Sequence, residues 1–504
     1  MDKLTVISPA DGRKLTEIAV TADTEIRRMA EAARQASYSW SRLPYAQRAS
    51  ALRAARNAFA TAAPMLVQKL TDEVARPEAE SWFAEIVANL ELFDYWIKNA
   101  GKYLEPERVP LNPINYPGKK GWIEYQPVGV IGLITPWNFP VSIPLRALIP
   151  GLLAGNGFLW KPSEYSAAVG QALYEVLAAH LPAGLLGLVQ GAGAAGSAVV
   201  DQADAVIFTG SVATGRRIEL RCAERSIRCS LELGGKDAAY VTADANMDRA
   251  VNGILWGAFN NCGQNCASVE RIYVHKDVYE SFLTRLEDAL AALRKRSDLQ
   301  VGPVINDRQA QIVTSHLSQA VSQGAIASVG GGGEGRWVEP TVLRATTASM
   351  TIVAEETFGP MAPVMVVESH EAALAEINRS RYGLTCSLWT TNYEWARSFA
   401  REIRSGVVTV NNHGFTAAIP GAPWVGRLDS GSGVTNSHIA LHEMVRPRFY
   451  LEDRSSAARE LWWYPYHAGA AELARTLVSL QTPGGFSLGK VVKLIKLFIG
   501  RWRG

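Results

Sequence analysis

Apolar residues recur at helical spacing in Ala-rich runs at Ile26 to Ser37, Arg48 to Phe59 and Trp82 to Trp96, predicting a mainly helical start. From Gly121 the pattern changes. Trp122-Ile123-Glu124-Tyr125-Gln126-Pro127 alternates, as a strand with one solvated face does. Val128-Gly129-Val130-Ile131-Gly132-Leu133-Ile134 is apolar on both faces, as a buried parallel strand is. Extended and helical stretches then take turns: Gly157 to Trp160, helix Ala167 to His180, Leu185 to Gln190, strand Ala203 to Thr209, and a helix from about Thr214. That order predicts an open α/β sheet with helices on its faces.

A second α/β region runs from about Lys236 to Asn411. It has a strand at Arg271 to Val274, a helix at Val278 to Leu293, a strand at Ala362 to Val367, a helix at Glu371 to Asn378 and a strand at Gly406 to Val410. Gly330-Gly331-Gly332-Gly333 reads as a surface loop, and the crossing between the two halves falls near Gly234-Gly235. Two halves suit a chain of 504 residues, too long for one core.

Composition changes this picture little. The chain is 48% apolar and 20% charged with a formal net charge of +3, ordinary for a globular protein. The distribution of charge matters more. After Glu472 there are six cations (Arg475, Lys490, Lys493, Lys496, Arg501, Arg503) and no acid, which leaves the rest of the chain at −3. A general nucleic-acid surface is thereby excluded and the basic signal is local to the C-terminus. The five scattered cysteines suit a reducing compartment rather than a disulfide framework. Cys262 and Cys266 have no second Cys or His pair nearby, so no metal site is expected. The start lacks the basic and apolar regions of a signal peptide. The weakly charged run from Gly129 to Trp160 contains Arg146 and four prolines, a poor membrane span and a good buried strand-turn-helix.

Two stretches carry candidate chemistry. Asn260-Asn261-Cys262-Gly263-Gln264-Asn265-Cys266 offers a thiol in a Gly-bearing turn, and Leu231-Glu232-Leu233-Gly234-Gly235 offers a carboxylate in another. A soft nucleophile and a base are the materials of covalent catalysis through sulfur. Two glycine patterns compete for a phosphate. Gly191-Ala192-Gly193-Ala194-Ala195-Gly196 follows a short strand but has no acidic residue at the expected strand end, and reads as an ordinary turn. Gly210-Ser211-Val212-Ala213-Thr214-Gly215 follows a clean strand and opens a helix, so its N–H groups and the Ser211 hydroxyl suit a pyrophosphate.

These stretches stand in order with Pro136-Trp137-Asn138-Phe139-Pro140, Lys161-Pro162-Ser163-Glu164 and Glu356-Thr357-Phe358-Gly359-Pro360. Together they resemble the aldehyde dehydrogenase superfamily over roughly residues 5 to 450. The resemblance implies an aldehyde dehydrogenase-like α/β fold: a Rossmann-type cofactor domain (1–108 and 128–234), an α/β catalytic domain (235–431) and a small β oligomerisation element (109–127 and 432–455). It further implies oxidation of an aldehyde to its carboxylic acid, with Cys266 as nucleophile, Glu232 as the base that activates water and Asn138 as oxyanion donor. NAD is the expected cofactor, with NADP as the alternative, bound by Trp137, Lys161, Glu164, Gly210, Ser211, Gly215, Glu356 and Phe358. Glu164 favours NAD because a carboxylate near the ribose 2′ position repels a phosphate. The expected partners are a small-molecule aldehyde and further copies of the chain in a homodimer or homotetramer. Cys262 keeps the reading of a small buried residue.

Departures limit what the resemblance says of the substrate. Where the family carries an aromatic-Gly-Gly-x-Lys-x-Ser-Gly run, this chain has Trp424-Val425-Gly426-Arg427-Leu428-Asp429-Ser430-Gly431. His413 lies where the family shapes its aldehyde entrance, although a loop histidine is more often solvated. Beyond about residue 455 comes an extension: the aromatic cluster Leu461 to Tyr466, a helix at Ala470 to Leu480, a Pro483-Gly484-Gly485 break and a basic amphipathic helix, Lys490 to Trp502. On a helical wheel its cations fall on one side, while Val491, Leu494, Ile495, Phe498, Ile499 and Trp502 fall mostly on the other, with Leu497 misplaced. That is the form of a helix lying on anionic lipid, or of one docked on protein; the expected location is cytoplasmic, and on the lipid reading peripheral on the inner face of a membrane. Alternatives are an acylating relative that passes the thioester to coenzyme A, which Glu232 disfavours, and a non-catalytic membrane-associated scaffold.

Overall fold

The Ala-rich runs form two long helices, α1 (Asp23–Trp40) and α2 (Tyr45–Val74), whose buried faces repeat every three to four residues. The computed structural model describes residues 2–113, 115–116, 118–294, 300–456, 458, 460, 462–466 and 469–500. The Trp82 to Trp96 run is helical as the spacing predicts, but it begins with a wide π turn over Ser81–Val87 before the regular helix Ala88–Tyr103. Glu85 and Asn89 sit on its buried face among Ile86, Leu92 and Phe93.

The first sheet is wholly parallel. Its strands are β1 (Val130–Ile134), β2 (Gly157–Lys161), β3 (Leu186–Leu188), β4 (Ala205–Thr209) and β5 (Arg228–Glu232), in the spatial order β3-β2-β1-β4-β5. The chain moves outward from β1 through β2 and β3, then returns to the other side of β1 as β4. That reversal opens a crevice beyond the carboxyl ends of β1 and β4, where open α/β sheets bind ligands. Helices α3 (Ser142–Leu153), α4 (Gly193–Gln202) and α5 (Val212–Glu224) follow β1, β3 and β4. The Gly191 to Gly196 run, expected as an ordinary turn, therefore opens a helix. The difference arises because Ala194 to Val200 carries on at helical spacing, with Ala195, Val199 and Val200 buried.

The second sheet has seven strands: β6 (Asp237–Val241), β7 (Val269–His275), β8 (Ile326–Val329), β9 (Thr341–Arg344), β10 (Met361–Val367), β11 (Thr385–Trp389) and β12 (Val407–Val410), in the order β8-β9-β10-β7-β6-β11-β12. All pairs are parallel except β8 with β9. Helix α6 (Met247–Phe259) descends from this sheet to the loop that carries Cys266.

The chain divides into two compact units, residues 1–105 with 125–447, and 106–124 with 448–504. The second contains most of a three-stranded sheet from Glu107–Val109, Lys119–Pro127 and Val445–Asp453. It also contains helices α7 (Ala470–Gln481) and α8 (Leu488–Gly500). Leu461, Arg501, Trp502 and Arg503, and the side chains of Phe498 and Ile499, lie outside the described residues. Among the described residues no helix is long and apolar enough to cross a membrane.

Candidate active site

Three cavities meet around the carboxyl edge of the first sheet. One of about 620 Å³ is lined by Lys161, Ser163, Glu164, Gly193, Gly210 and Thr214 among others. A second of about 280 Å³ holds Trp137, Asn138, Gly210, Ser211, Cys266, Glu356 and Phe358. A third of about 470 Å³ holds Cys266, Arg146, Glu232, Trp424 and Glu443 within mostly apolar walls. Pro136, Thr209 and Gly210 line both the first and second cavities, and Cys266 lines both the second and third.

The thiol loop is an unusual turn. Asn261 and Cys262 both have left-handed backbone (φ 52° and 58°), and Gly263 follows at φ 68°. Non-glycine residues there cost about 1–3 kcal/mol each, so surrounding contacts must hold them. A Cβ on Gly263 would stand 2.2 Å from the Gly359 carbonyl oxygen, and one on Gly235 would stand 2.1 Å from that of Cys266. These two glycines let the Glu232 loop and the Glu356–Pro360 loop close on the thiol turn. Cys262 is buried, as its reading required.

A buried ion pair fastens that turn to the loop after β1. Arg76 Nη1 lies 2.6 Å from Glu85 Oε1, with neither side chain exposed. The same guanidinium donates to Asn261 Oδ1 at 3.3 Å and to the Asn138 carbonyl. Glu85 Oε2 accepts from the backbone N–H of Val141 and Ser142, and Asn89 Nδ2 donates to Ser142 Oγ at 2.6 Å. The Glu80 carboxylate takes the Asn261 N–H at 3.1 Å, and burial pushes it up to about 7. None of Arg76, Glu80 and Glu85 stood out in the sequence. The signal was there for Glu85, a charged residue on the buried face of an otherwise apolar helix.

Asn138 is buried, and its Nδ2 donates one hydrogen to the Gln264 carbonyl at 3.1 Å. Its second amide hydrogen is left for another acceptor beside Cys266. Asn138 Oδ1 and Glu232 Oε1 are buried polar atoms with no hydrogen-bond partner among the described residues. Burial raises the Glu232 carboxyl well above the usual carboxylate range; the Arg146 guanidinium opposes this shift and the Glu443 carboxylate adds to it. Burial likewise pushes the Cys266 thiol up to about 12, with Asp237 and Glu232 adding and Arg146 opposing. The sequence reading missed Arg146 and Glu443 as part of this charge set.

The remaining positions fall into two groups. Lys161 Nζ pairs with Glu164 Oε2 at 3.0 Å on the wall of the large cavity. Ser211 stands at the N-cap position of α5, where its hydroxyl donates to Thr214 Oγ1 at 3.1 Å and makes no cap bond to the backbone, and Gly210 N–H donates to the Glu232 carbonyl at 3.0 Å. Trp137 meets Phe358 edge-on, ring centroids 5.6 Å apart. Glu356 Oε1 accepts the Gly235 N–H at 2.9 Å, and its carboxyl is pushed up to about 8 by burial. A buried Lys236–Glu270 pair secures that loop, since Glu270 also accepts the N–H groups of Thr357 and Phe358, each at 2.8 Å. Gly215 differs from expectation: it lies in α5, where a Cβ would stand 2.5 Å from the Leu233 side chain, so it lets the helix pack on the loop after β5 and lines none of the three cavities. His413 is not solvated. It is buried, its Nε2–H donates to the Ala267 carbonyl at 2.5 Å, and burial pushes its pKa down to about 4.

The first and second cavities fit a dinucleotide. Their junction lies at the N-terminus of α5, where free N–H groups and the helix dipole suit a pyrophosphate, and α4 also starts on the large cavity. Lys161 and Glu164 offer a donor and an acceptor for ribose hydroxyls at one end, and Glu356 offers an acceptor at the other. Among the described residues, no group of three or more His, Cys, Asp or Glu could hold a metal ion.

Comparison with known proteins agrees with this geometry. The profile of the aldehyde dehydrogenase family matches residues 1–449. A protein of Methylomonas sp named 4,4'-diapolycopene aldehyde oxidase is 34% identical over 476 residues, 94% of this chain and 90% of its own. A match over that share runs past residue 470 wherever it begins, so it takes in part of the C-terminal extension. A Mycobacterium ulcerans protein, provisionally named a succinate-semialdehyde dehydrogenase using NADP(+), is 34% identical and covers 84% of this chain and 83% of its own. PnpE, known from Pseudomonas sp. WBC-3 and solved in complex with nicotinamide adenine dinucleotide, superposes with a TM-score of 0.87 at 30% identity, covering 92% of this chain and 96% of its own. The chain belongs to the aldehyde dehydrogenase family and is an NAD(P)-dependent aldehyde dehydrogenase.

Proposed function

We propose that the enzyme oxidises an aldehyde with an apolar body to its carboxylic acid through a covalent intermediate on Cys266. The observation that carries this reading is the position of Cys266, on the wall shared by the cofactor-side cavity and the Glu232-side cavity. The Cys266 thiol gives its proton to solvent water, and the thiolate attacks the carbonyl carbon as the C=O π electrons pass to oxygen, giving a thiohemiacetal oxyanion. The free amide hydrogen of Asn138 and the Cys266 backbone N–H receive the negative charge on oxygen, worth about 3 kcal/mol per donor at the transition state. Gly210 and Ser211 at the α5 N-terminus, with Trp137, Glu356 and Phe358, would hold NAD(P), which would supply the hydride acceptor. Loss of hydride leaves a thioester. Glu232, raised in pKa and holding an unpartnered oxygen, takes a proton from the water that cleaves the thioester and frees the acid and the thiol.

In this reading residues 1–108 with 128–234 hold the cofactor and 235–431 carry the thiol. Residues 109–127 and 432–455 serve association into a homodimer or homotetramer. NAD is the preferred cofactor, because the Glu164 carboxylate is held by Lys161 on the cavity wall. The substrate class rests on the apolar lining of the 470 Å³ cavity and on the aldehyde named for the Methylomonas relative.

Pre-steady-state kinetics test the chemistry. Glu232→Gln is expected to release about one NADH per active site in a burst and then stall, and Cys266→Ser to give none. Steady turnover of Glu232→Gln at the parent rate removes the base assignment. If the stalled thioester instead clears at the parent rate on adding coenzyme A, the enzyme is acylating. A series of straight-chain aldehydes with NAD and NADP tests the substrate: kcat/KM is expected to rise with chain length, as each well-buried methylene contributes about 0.8 kcal/mol.

A further inference from the structure

The C-terminal pair of helices carries two separate apolar faces. The helices contact each other. Helix α7 turns inward Leu473, Thr476, Leu477 and Leu480, at i, i+3, i+4 and i+7. Helix α8 half-buries Val491, Leu494 and Leu497. The expected division of α8 into one basic and one apolar side therefore changes: Leu497, misplaced on that wheel, belongs to the packed face, and Ile495 does not. A second stripe, Leu488, Val492 and Ile495 at i, i+4 and i+7, stands in solvent at 76, 47 and 51% exposure, with Phe486 in the connecting turn at 74%.

We infer that this outer stripe docks on an anionic lipid surface. Burying apolar side chains that already leave the helix pair's own interface needs an outside phase, and the charges beside the stripe select which. From residue 473 to the end of the chain there are six cations and no acid. Lys496 is exposed beside Ile495, and Lys493 makes a solvent-exposed pair with Glu472 at 2.6 Å, which contributes little. A self-contact of this stripe across a two-fold axis would set the same lysines against one another. A bilayer rich in anionic headgroups accepts both features, with apolar side chains in the acyl boundary and lysines at the phosphates. The same unit exposes Trp462, Trp463, Tyr464 and Tyr466, side chains that favour the bilayer–water boundary. The inference is independent of the catalytic assignment.

Flotation of the full-length enzyme with vesicles tests it. The parent is expected to float with phosphatidylglycerol vesicles, not with pure phosphatidylcholine, and to be released as salt rises toward about 0.5 M. Val492→Asp with Ile495→Asp, both at exposed positions, should lower the bound-to-free ratio at least tenfold. Lys496→Glu should lower it severalfold. Turnover of a water-soluble aldehyde and the oligomeric mass by light scattering should stay unchanged in each. A parent that does not float with phosphatidylglycerol, or a double variant that floats like the parent, overturns the inference. So does a double variant of smaller oligomeric mass, which assigns the stripe to a subunit contact.

Discussion

Replacing Arg76 by methionine tests the argument that a buried ion pair, distant in sequence from the thiol, fixes the geometry around it. The substitution removes the charge at near-constant volume. It leaves the Glu85 carboxylate, fully buried, with only the backbone N–H groups of Val141 and Ser142, and it removes a donor each from Asn261 Oδ1 and the Asn138 carbonyl. Breaking a buried pair on one side costs about 3–5 kcal/mol. Unfolding entropy of about 2.1 cal/mol/K per residue makes about 1.1 kcal/mol/K for 504 residues, so the expected fall in Tm is about 3–5 °C. Catalysis should suffer more than stability, because Asn138 and the left-handed Asn261 turn both lose an anchor. A displacement of about 1 Å at such a site lowers kcat as much as 100-fold. The assay is calorimetry with burst kinetics on Arg76→Met, Glu85→Gln and the double variant. The double variant should be less unstable than the sum of the singles by about 2 kcal/mol, because it leaves no uncompensated charge. A single Arg76→Met variant with Tm within 1 °C of the parent and an unchanged burst rate would refute the reasoning.

Two further predictions follow from the same geometry. Asn138→Ala should lower kcat about 10²–10³-fold with a modest change in KM, measured in steady state, because its free amide hydrogen acts on the developing oxyanion. Asp237 accepts from Thr385 N–H at 2.9 Å and Thr385 Oγ1 at 2.6 Å, and burial pushes its carboxyl up to about 8. Because that pKa is raised on folding, its contribution is full below about pH 4 and is lost as pH rises to about 8. Asp237→Asn should abolish that loss, so the Tm of the variant minus that of the parent should grow from pH 5 to pH 9 in calorimetry.

Much of the site was legible because its chemistry is local. The turn at Gly210 and Ser211 follows from a strand, a glycine and a helix start in sequence, and in the structure Gly210 lines two neighbouring cavities. Gly191 to Gly196 opens a helix although no acid lies about 20 residues on, because such an acid concerns a ribose contact and says nothing about whether a helix follows. His413 was misjudged on the solvation of loops in general. Its ring is buried because Gly257, having no Cβ, leaves room for it, a Cβ there falling 2.8 Å from the imidazole. No pattern around residue 413 encodes that space.

By itself the sequence determined the order of strands and helices, two α/β halves and the candidate thiol, carboxylate and amide, because periodicity and turn chemistry act over a few residues. Only the tertiary structure decided what those groups experience. Cys266 and Glu232 are raised in pKa by the burial that packing creates, and Arg146 and Glu443 act on them across space. Arg76 and Glu85 bind two loops that lie about 120 residues apart in the chain, at Asn138 and Asn261. Which apolar face of α8 is spent on packing and which is left in solvent depends on where α7 lies, and a helical wheel drawn on one helix contains no such partner.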